Sequence, residues 1–288
     1  MPTFRSVLAS AGRGISRVLF AKRSSKVGFA IILGFVMLII IGPLFFPPRL
    51  LKSNVPDAYA PPSSAHLLGT DYLGADVFAQ LIYGAIPSMG VGVLGALGAV
   101  LIGLLVGVLA GYYGKLEGGL TGLTDLVMIF PPVPLMVLLG TIRTTTNTDL
   151  IIILAVVLWP PVARSIRSQV LSLKEMPFVE VAKMSGMKGW EILTKIIVRS
   201  VAVIAFAYYV LTVGAAIILV TGLEFLGVGN PNAVSWGSMI YWAQQLAYIA
   251  GAWWWILGPG VAISLLTIGF ALIGFSFEEV LNPRLRTN

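Results

Sequence analysis

The stretch VGFAIILGFVMLIIIGPLFF, residues 27–46, runs for twenty residues without a charged side chain. Twenty apolar residues are what an α-helix needs to cross a bilayer core of about 30 Å. Comparable runs recur, and only 11% of the 288 residues are charged, with 57% hydrophobic. A soluble domain carries about 25% charged residues. Lipid offers no partner to a free N–H or C=O, so the spans have to be helices. The chain reads as an all-α polytopic membrane protein.

Six spans are expected: 27–47, 85–112, 119–142, 149–168, 193–223 and 252–275. The first follows a basic arm, 1–26, and no small-residue cleavage pattern follows it, which favours an uncleaved anchor over a signal peptide. With the N-terminus in the cytoplasm, 16 Lys and Arg fall inside and 3 outside. Cytoplasmic segments carry such an excess, so both termini are expected inside. The net charge of +7 is then a topology signal and not a sign of nucleic-acid binding. Two external segments result, 48–84 and 224–251, with a five-span core at 85–275 and a cytoplasmic tail at 276–288. Trp236, Tyr241, Trp242 and Trp253–Trp255 suit an aromatic belt at the outer interface.

Several chemistries are excluded. There are no cysteines and one histidine, His66, so thiolate chemistry and cysteine or histidine metal clusters are absent. No GxxxxGK[ST] loop occurs, so the chain does not hold ATP in the P-loop manner. GVGVLG, 90–95, has GxGxxG spacing but lies inside a span, without the strand that a dinucleotide fingerprint needs. Gly95, Ala99, Gly103, Gly107 and Gly111 repeat every four residues in that span, which predicts close packing of another helix. Asp125 is the only carboxylate placed within a span, near its inner end, where it is expected to reach water or Lys115. A structural role and a role in a translocation path both stand for it. Pro131, Pro132 and Pro134 should break the same span, and a broken helix can line a path. One intramembrane carboxylate is too few for a proton relay, and no nucleophile–base pair exists, so an intramembrane enzyme is disfavoured.

Between the fourth and fifth spans lies a polar segment, 170–191, containing PFVEVAKMSGMKGWEI from Pro177 to Ile192. Pro177 suits a first helical turn. Glu175 and Glu180 suit the N-terminal end of a helix dipole, and Gly186 suits a terminating turn. Such a bent cytoplasmic pair can lie in lipid headgroups or dock into a partner; the pattern alone leaves both open.

EVAKMSG, 180–186, followed by KIIV, resembles the E-A-A-x-x-x-G loop of bacterial and archaeal ABC importer permeases. HLLGTDYLGADVF, 66–78, is similar to the external H-P-L-G-T-D-x-x-G-R-D segment of the dipeptide, oligopeptide and nickel branch. EFLGVGNPNAVSWG, 224–237, resembles that branch's F-L-G-L-G-x-x-P-x-x-x-W-G motif, and LNPRLR, 281–286, its D-P-R-x-R end. Val181 stands for an alanine, Ala75 for an arginine, and Arg199 for a proline of the family pattern. The resemblance implies a type I importer permease, the second of a heterodimeric pair, in a prokaryotic plasma membrane. Peptides are the expected solute, with oligosaccharides or nickel complexes as alternatives; a stand-alone secondary transporter or channel is the alternative of another class. It also implies two cytoplasmic ATPases holding ATP and Mg, and an extracellular solute-binding protein. Glu180, Ala182, Met184, Ser185, Gly186 and Met187 would contact the ATPase. Gly69, Thr70, Asp71, Asp76 and Trp236 would form the binding-protein platform.

Overall fold

A computed structural model describes residues 22–52, 54–142, 146–230 and 233–281. The expected arm is thus outside it up to residue 21, as are Arg143 and most of LNPRLR. Nine α-helices account for most of the described chain: α1 (Arg23–Phe45), α2 (Val77–Tyr112), α3 (Gly114–Ile129), α4 (Pro132–Gly140), α5 (Asn147–Lys174), α6 (Pro177–Met184), α7 (Gly189–Phe225), α8 (Trp236–Ala250) and α9 (Trp253–Leu281). α1, α2, α5, α7 and α9 are each long and apolar enough to cross a membrane.

α2 is the axis of the bundle and packs on α5 from Gly95 to Gly111. The reason is the glycine repeat. A Cβ on Gly95 would fall 2.7 Å from the Leu154 Cβ, and one on Gly111 would fall 2.7 Å from the Val170 Cβ. On Gly107 it would meet the Ala163 carbonyl oxygen at 2.6 Å. No real side chain tolerates these separations, so the backbones approach as closely as they do only because the side chains are missing. Apolar attraction between helices has little force in lipid, where van der Waals contact must supply the cohesion. The same device joins α1 to α9, where a Cβ on Gly28 would lie 2.6 Å from the Gly269 carbonyl oxygen.

The third expected span, 119–142, is not one rod. α3 and α4 meet at an 85° bend. Pro131 and Pro132 supply no N–H, and Phe130, extended at φ −79° and ψ 127°, ends α3. At 1.5 Å per residue, the nine residues of α4 are too short to cross alone. The second span is also longer than expected. It begins at Val77, not 85, because the Asp76 carboxylate accepts the Ala79 N–H at 2.7 Å and caps it. At the opposite end of the chain's external region, 224–251 is largely helical, since it contains α8.

α7 carries a π-helical turn, Leu193–Ile197, just after its start. A π turn accommodates one extra residue and re-aims the chain on either side of it. It stands immediately before Arg199, where the family pattern places a proline.

The glycine seam makes a prediction. Gly107→Ala should destabilise the detergent-purified protein by about 1–3 kcal/mol through overpacking. Gly90→Ala, whose Cβ meets nothing within 4 Å, should be neutral or slightly stabilising, and thermal unfolding of the two proteins side by side compares them.

Candidate functional site: a docking helix at one end of the bundle and a folded cap at the other

α6 is built to be held rigidly and to show one face. Pro177 opens it, and a Schellman turn closes it: the Met187 N–H donates to the Ala182 carbonyl and the Gly186 N–H to the Lys183 carbonyl. Gly186 has φ +77°, a left-handed conformation that a Cβ disfavours. Val179 and Ala182 are buried among Val108, Val170, Ile192 and Ile197 of α2, α5 and α7. Ala182 therefore anchors the helix and does not reach outward, a correction to its expected contact role. Met187 is half-buried on the same cluster. Glu180, Met184, Ser185 and Gly186 are exposed, as expected of a docking element.

Beside Met184, two apolar residues of that exposed face, Phe178 and Val181, escaped the sequence reading. Phe178, Val181 and Met184 are 49%, 61% and 84% exposed. They sit three residues apart, on one side of a helix, and that spacing is the signal that could have found them. Trp190, 58% exposed, continues the face onto α7. Lys195 lies 5.9 Å from the Trp190 ring centre and 2.8 Å from the Glu191 carboxylate.

Of the two expected surroundings of Asp125, water or Lys115, the side chain is exposed but pairs with Arg164 of α5 and not with Lys115. About two turns away along α3, Glu117 pairs with Arg167. These two rungs tie α3 to α5 beside a cavity of about 260 Å³ that Thr121 and Thr124 also line. Pro131, Pro132 and Pro134 are exposed in the single chain, with Ile129 and Phe130 also exposed beside the bend. Asp125 is not the only carboxylate within a span-length helix: Glu224 lies in the last turns of α7 and is buried.

At the other end of the bundle, residues 54–76 form a knot of polar contacts. Gly69 and Gly74 have φ +68° and +77°, and a Cβ on Gly74 would collide with the Asn54 carbonyl oxygen at 1.9 Å. The Asp71 carboxylate accepts the Leu73 and Ala75 N–H groups and the Gln80 amide. The Thr70 hydroxyl donates to the Asp57 carbonyl and accepts the Ala60 N–H. Asp76 caps α2 and also holds His66 Nδ1 at 2.8 Å. Trp254 Nε1 donates to the Thr70 carbonyl.

Thr70, Asp71, Asp76 and Trp236 are all buried. Their side chains hold the cap together and are not presented outward, which corrects their expected place on a platform surface. The Trp236 indole donates to the Leu81 carbonyl, and its backbone N–H donates to Ser88 Oγ. Trp254 and Trp255 are buried as well, so the belt expected from the tryptophans reduces to Trp242 and Trp253, 44% and 62% exposed. Among the described residues no group of three or more His, Asp or Glu could hold a metal.

The comparisons with known proteins agree with this architecture. Residues 99–287 match the model of the family described as the binding-protein-dependent transport system inner membrane component. The chain is 32% identical to the dipeptide transport system permease protein DppC of Alkalihalophilus pseudofirmus, over 99% of this chain and 94% of that protein. It is 32% identical to the DppC of Bacillus subtilis, over 94% of this chain and 85% of that protein. It is 28% identical to the glutathione transport system permease protein GsiD of Pectobacterium atrosepticum, over 93% and 91%. The helical bundle with its broken third span, the exposed short helix and the matched sequence together place this chain in the family of inner membrane components of binding-protein-dependent transport systems.

Proposed function

We propose that this chain is one permease subunit of an ATP-driven importer of di- and oligopeptides. It forms half of the translocation path together with a second permease subunit. ATP and Mg bind to two separate cytoplasmic ATPases, and an extracellular binding protein delivers the solute. The excess of Lys and Arg on one side of the spans supports a cytoplasmic location for the α6 end and both termini. The relatives named above are permeases for dipeptides or glutathione, which supports a peptide cargo over sugars or nickel complexes.

The observation that carries the coupling role is the face of α6. Phe178, Val181 and Met184 are exposed at the polar end of the bundle, while Val179 and Ala182 fix the helix to three spans from behind. An apolar face held rigidly in water is an interaction site, and a short amphipathic helix laid in a groove is a recurring mode of docking. Closure of the ATPase dimer would push on this helix. Val179 and Ala182 would pass the movement to α2, α5 and α7 as a rigid-body rotation. The exposed bend between α3 and α4 supports a surface for the second permease subunit.

Three outcomes are expected. Uptake in proteoliposomes containing the whole importer should require ATP and should be competed by dipeptides, not by oligosaccharides or nickel complexes; competition by the latter alone would refute the peptide reading. Val181→Asp and Met184→Glu should cut ATP-driven uptake about tenfold or more, as loss of a buried interface anchor does. Because both positions are exposed, insertion and thermal stability should stay near wild type; unchanged uptake would remove the docking role. Deleting Thr194 should turn the π turn into α-helix and rotate α6 by about 100° around the α7 axis. ATP hydrolysis by the assembled complex should then continue without uptake, and transport by this variant at the wild-type rate would show that the π turn has no part in coupling.

A further inference from the structure

At the end of the bundle that carries the folded cap, α7 stops one residue beyond Glu224 and the chain turns at Gly227, φ +83°. Between this turn, the start of α8 and the loop 71–75 lies an open cavity of about 540 Å³. That is within the range of small-molecule sites. Its wall includes Tyr72, Tyr241, Trp242 and Trp255, together with the carboxylates Asp71 and Glu224. Among the described residues lining it there is no Lys, Arg or His.

The two carboxylates are in different states. Asp71 is fully used, with three donors on its two oxygens. Glu224 is only 6% exposed, and its Oε2 has no hydrogen-bond partner. The Ser235 hydroxyl and the Gly237 N–H donate to the carboxylate, but Oε2 itself is left without a partner in hydrogen-bond geometry. Space has been left for this side chain by glycines. A Cβ on Gly237 would lie 2.3 Å from Oε2, and one on Gly229 would lie 3.0 Å from Glu224 Cγ. The cavity wall holds a second unpaired group of opposite kind: Trp255 Nε1 is buried and has no acceptor.

A buried carboxylate oxygen that lacks a partner is costly, and so is a buried N–H without an acceptor. Both costs are relieved by a guest that offers a cationic donor and a neutral acceptor. A metal ion does not fit, since hard cations take six or more oxygen ligands and only one carboxylate here is free. An organic ammonium does fit. Four aromatic rings, Tyr72, Tyr241, Trp242 and Trp255, line the cavity, and an aromatic face attracts an ammonium group. The amino end of a peptide carries an ammonium with a carbonyl next to it, the donor and acceptor that Glu224 and Trp255 lack.

We propose that this cavity binds the free amino end of a peptide, with Glu224 as counter-ion of the α-ammonium and Trp255 Nε1 as donor to the adjacent carbonyl. The assignment rests on the peptide-importer reading of the preceding subsection and names a place for the cargo at the outer mouth of the permease.

The test uses the complete permease–ATPase complex in nanodiscs without the binding protein. Radiolabelled alanyl-alanine, its N-acetyl derivative and n-butylammonium serve as probes in equilibrium binding. Alanyl-alanine should bind, and Glu224→Gln should weaken it about tenfold or more, the effect of removing one charge-assisted hydrogen bond. Trp255→Phe, which keeps the ring and removes the N–H, should weaken it by a smaller factor. The N-acetyl peptide should bind weakly and respond to neither change. Equal losses for both peptides, or none on Glu224→Gln, would overturn the site. Binding of n-butylammonium as tight as that of the peptide would overturn the peptide assignment in favour of a lysine side chain from a docked protein. If Glu224→Gln does not assemble, Trp255→Phe and Tyr241→Leu carry the same comparison. A complex that imports peptides but shows no such dependence refutes this site alone, whereas one that imports none refutes the peptide reading itself.

Discussion

The close approach of α2 and α5 is the interaction on which the other features depend. Each glycine along that seam is covered by a backbone carbonyl or a β-carbon of α5. This contact places α2 at the centre, where it also meets α1, α7, α8 and α9. In lipid, a helix gains little by hiding leucine from its surroundings. Cohesion therefore has to come from close contact, and close contact requires residues without side chains. Leu94, Leu97, Leu101 and Leu105 of α2 are left exposed instead.

Both ends of this central pair are finished by polar groups, and in opposite ways. At one end the cap residues Thr70, Asp71 and Asp76 spend their hydrogen-bonding capacity inward, on the backbone of the cap and on the first turn of α2. A buried polar group without a partner is costly, and the cap satisfies these with bonds between residues close in sequence. At the other end, ion pairs from Arg164 and Arg167 to α3 are partly exposed. Exposed pairs stabilise by less than about 1 kcal/mol. Their arrangement suits a helix pair that has to shift against the axis more than one locked to it.

α6 connects the two themes. Its inner face is part of a core shared with three long helices, so a displacement of α6 cannot be absorbed locally. Close-packed interiors transmit strain. Its outer face is fully available. Glu224 is the counterpart at the far end, with an oxygen left unpaired beside the unpaired Trp255 Nε1, and the two ends together mark where chemical work and cargo would enter the same rigid frame.

The sequence by itself determined the all-helical membrane class, the seam of small residues, the break at the prolines and the polar element at 170–191. Each is a local or periodic property: run length, a four-residue repeat, a missing N–H, a change in charge density. It did not determine direction. Ala182 looked like a contact and is an anchor, Trp236 looked like an interface residue and is core, and Asp125 chose Arg164 on another helix over Lys115 on its own. Nor could it show that Glu224 belongs inside α7 with an oxygen left over. Which way a side chain faces, and whether a charge finds a partner, depends on residues tens of positions away in the chain, brought near only when the helices pack.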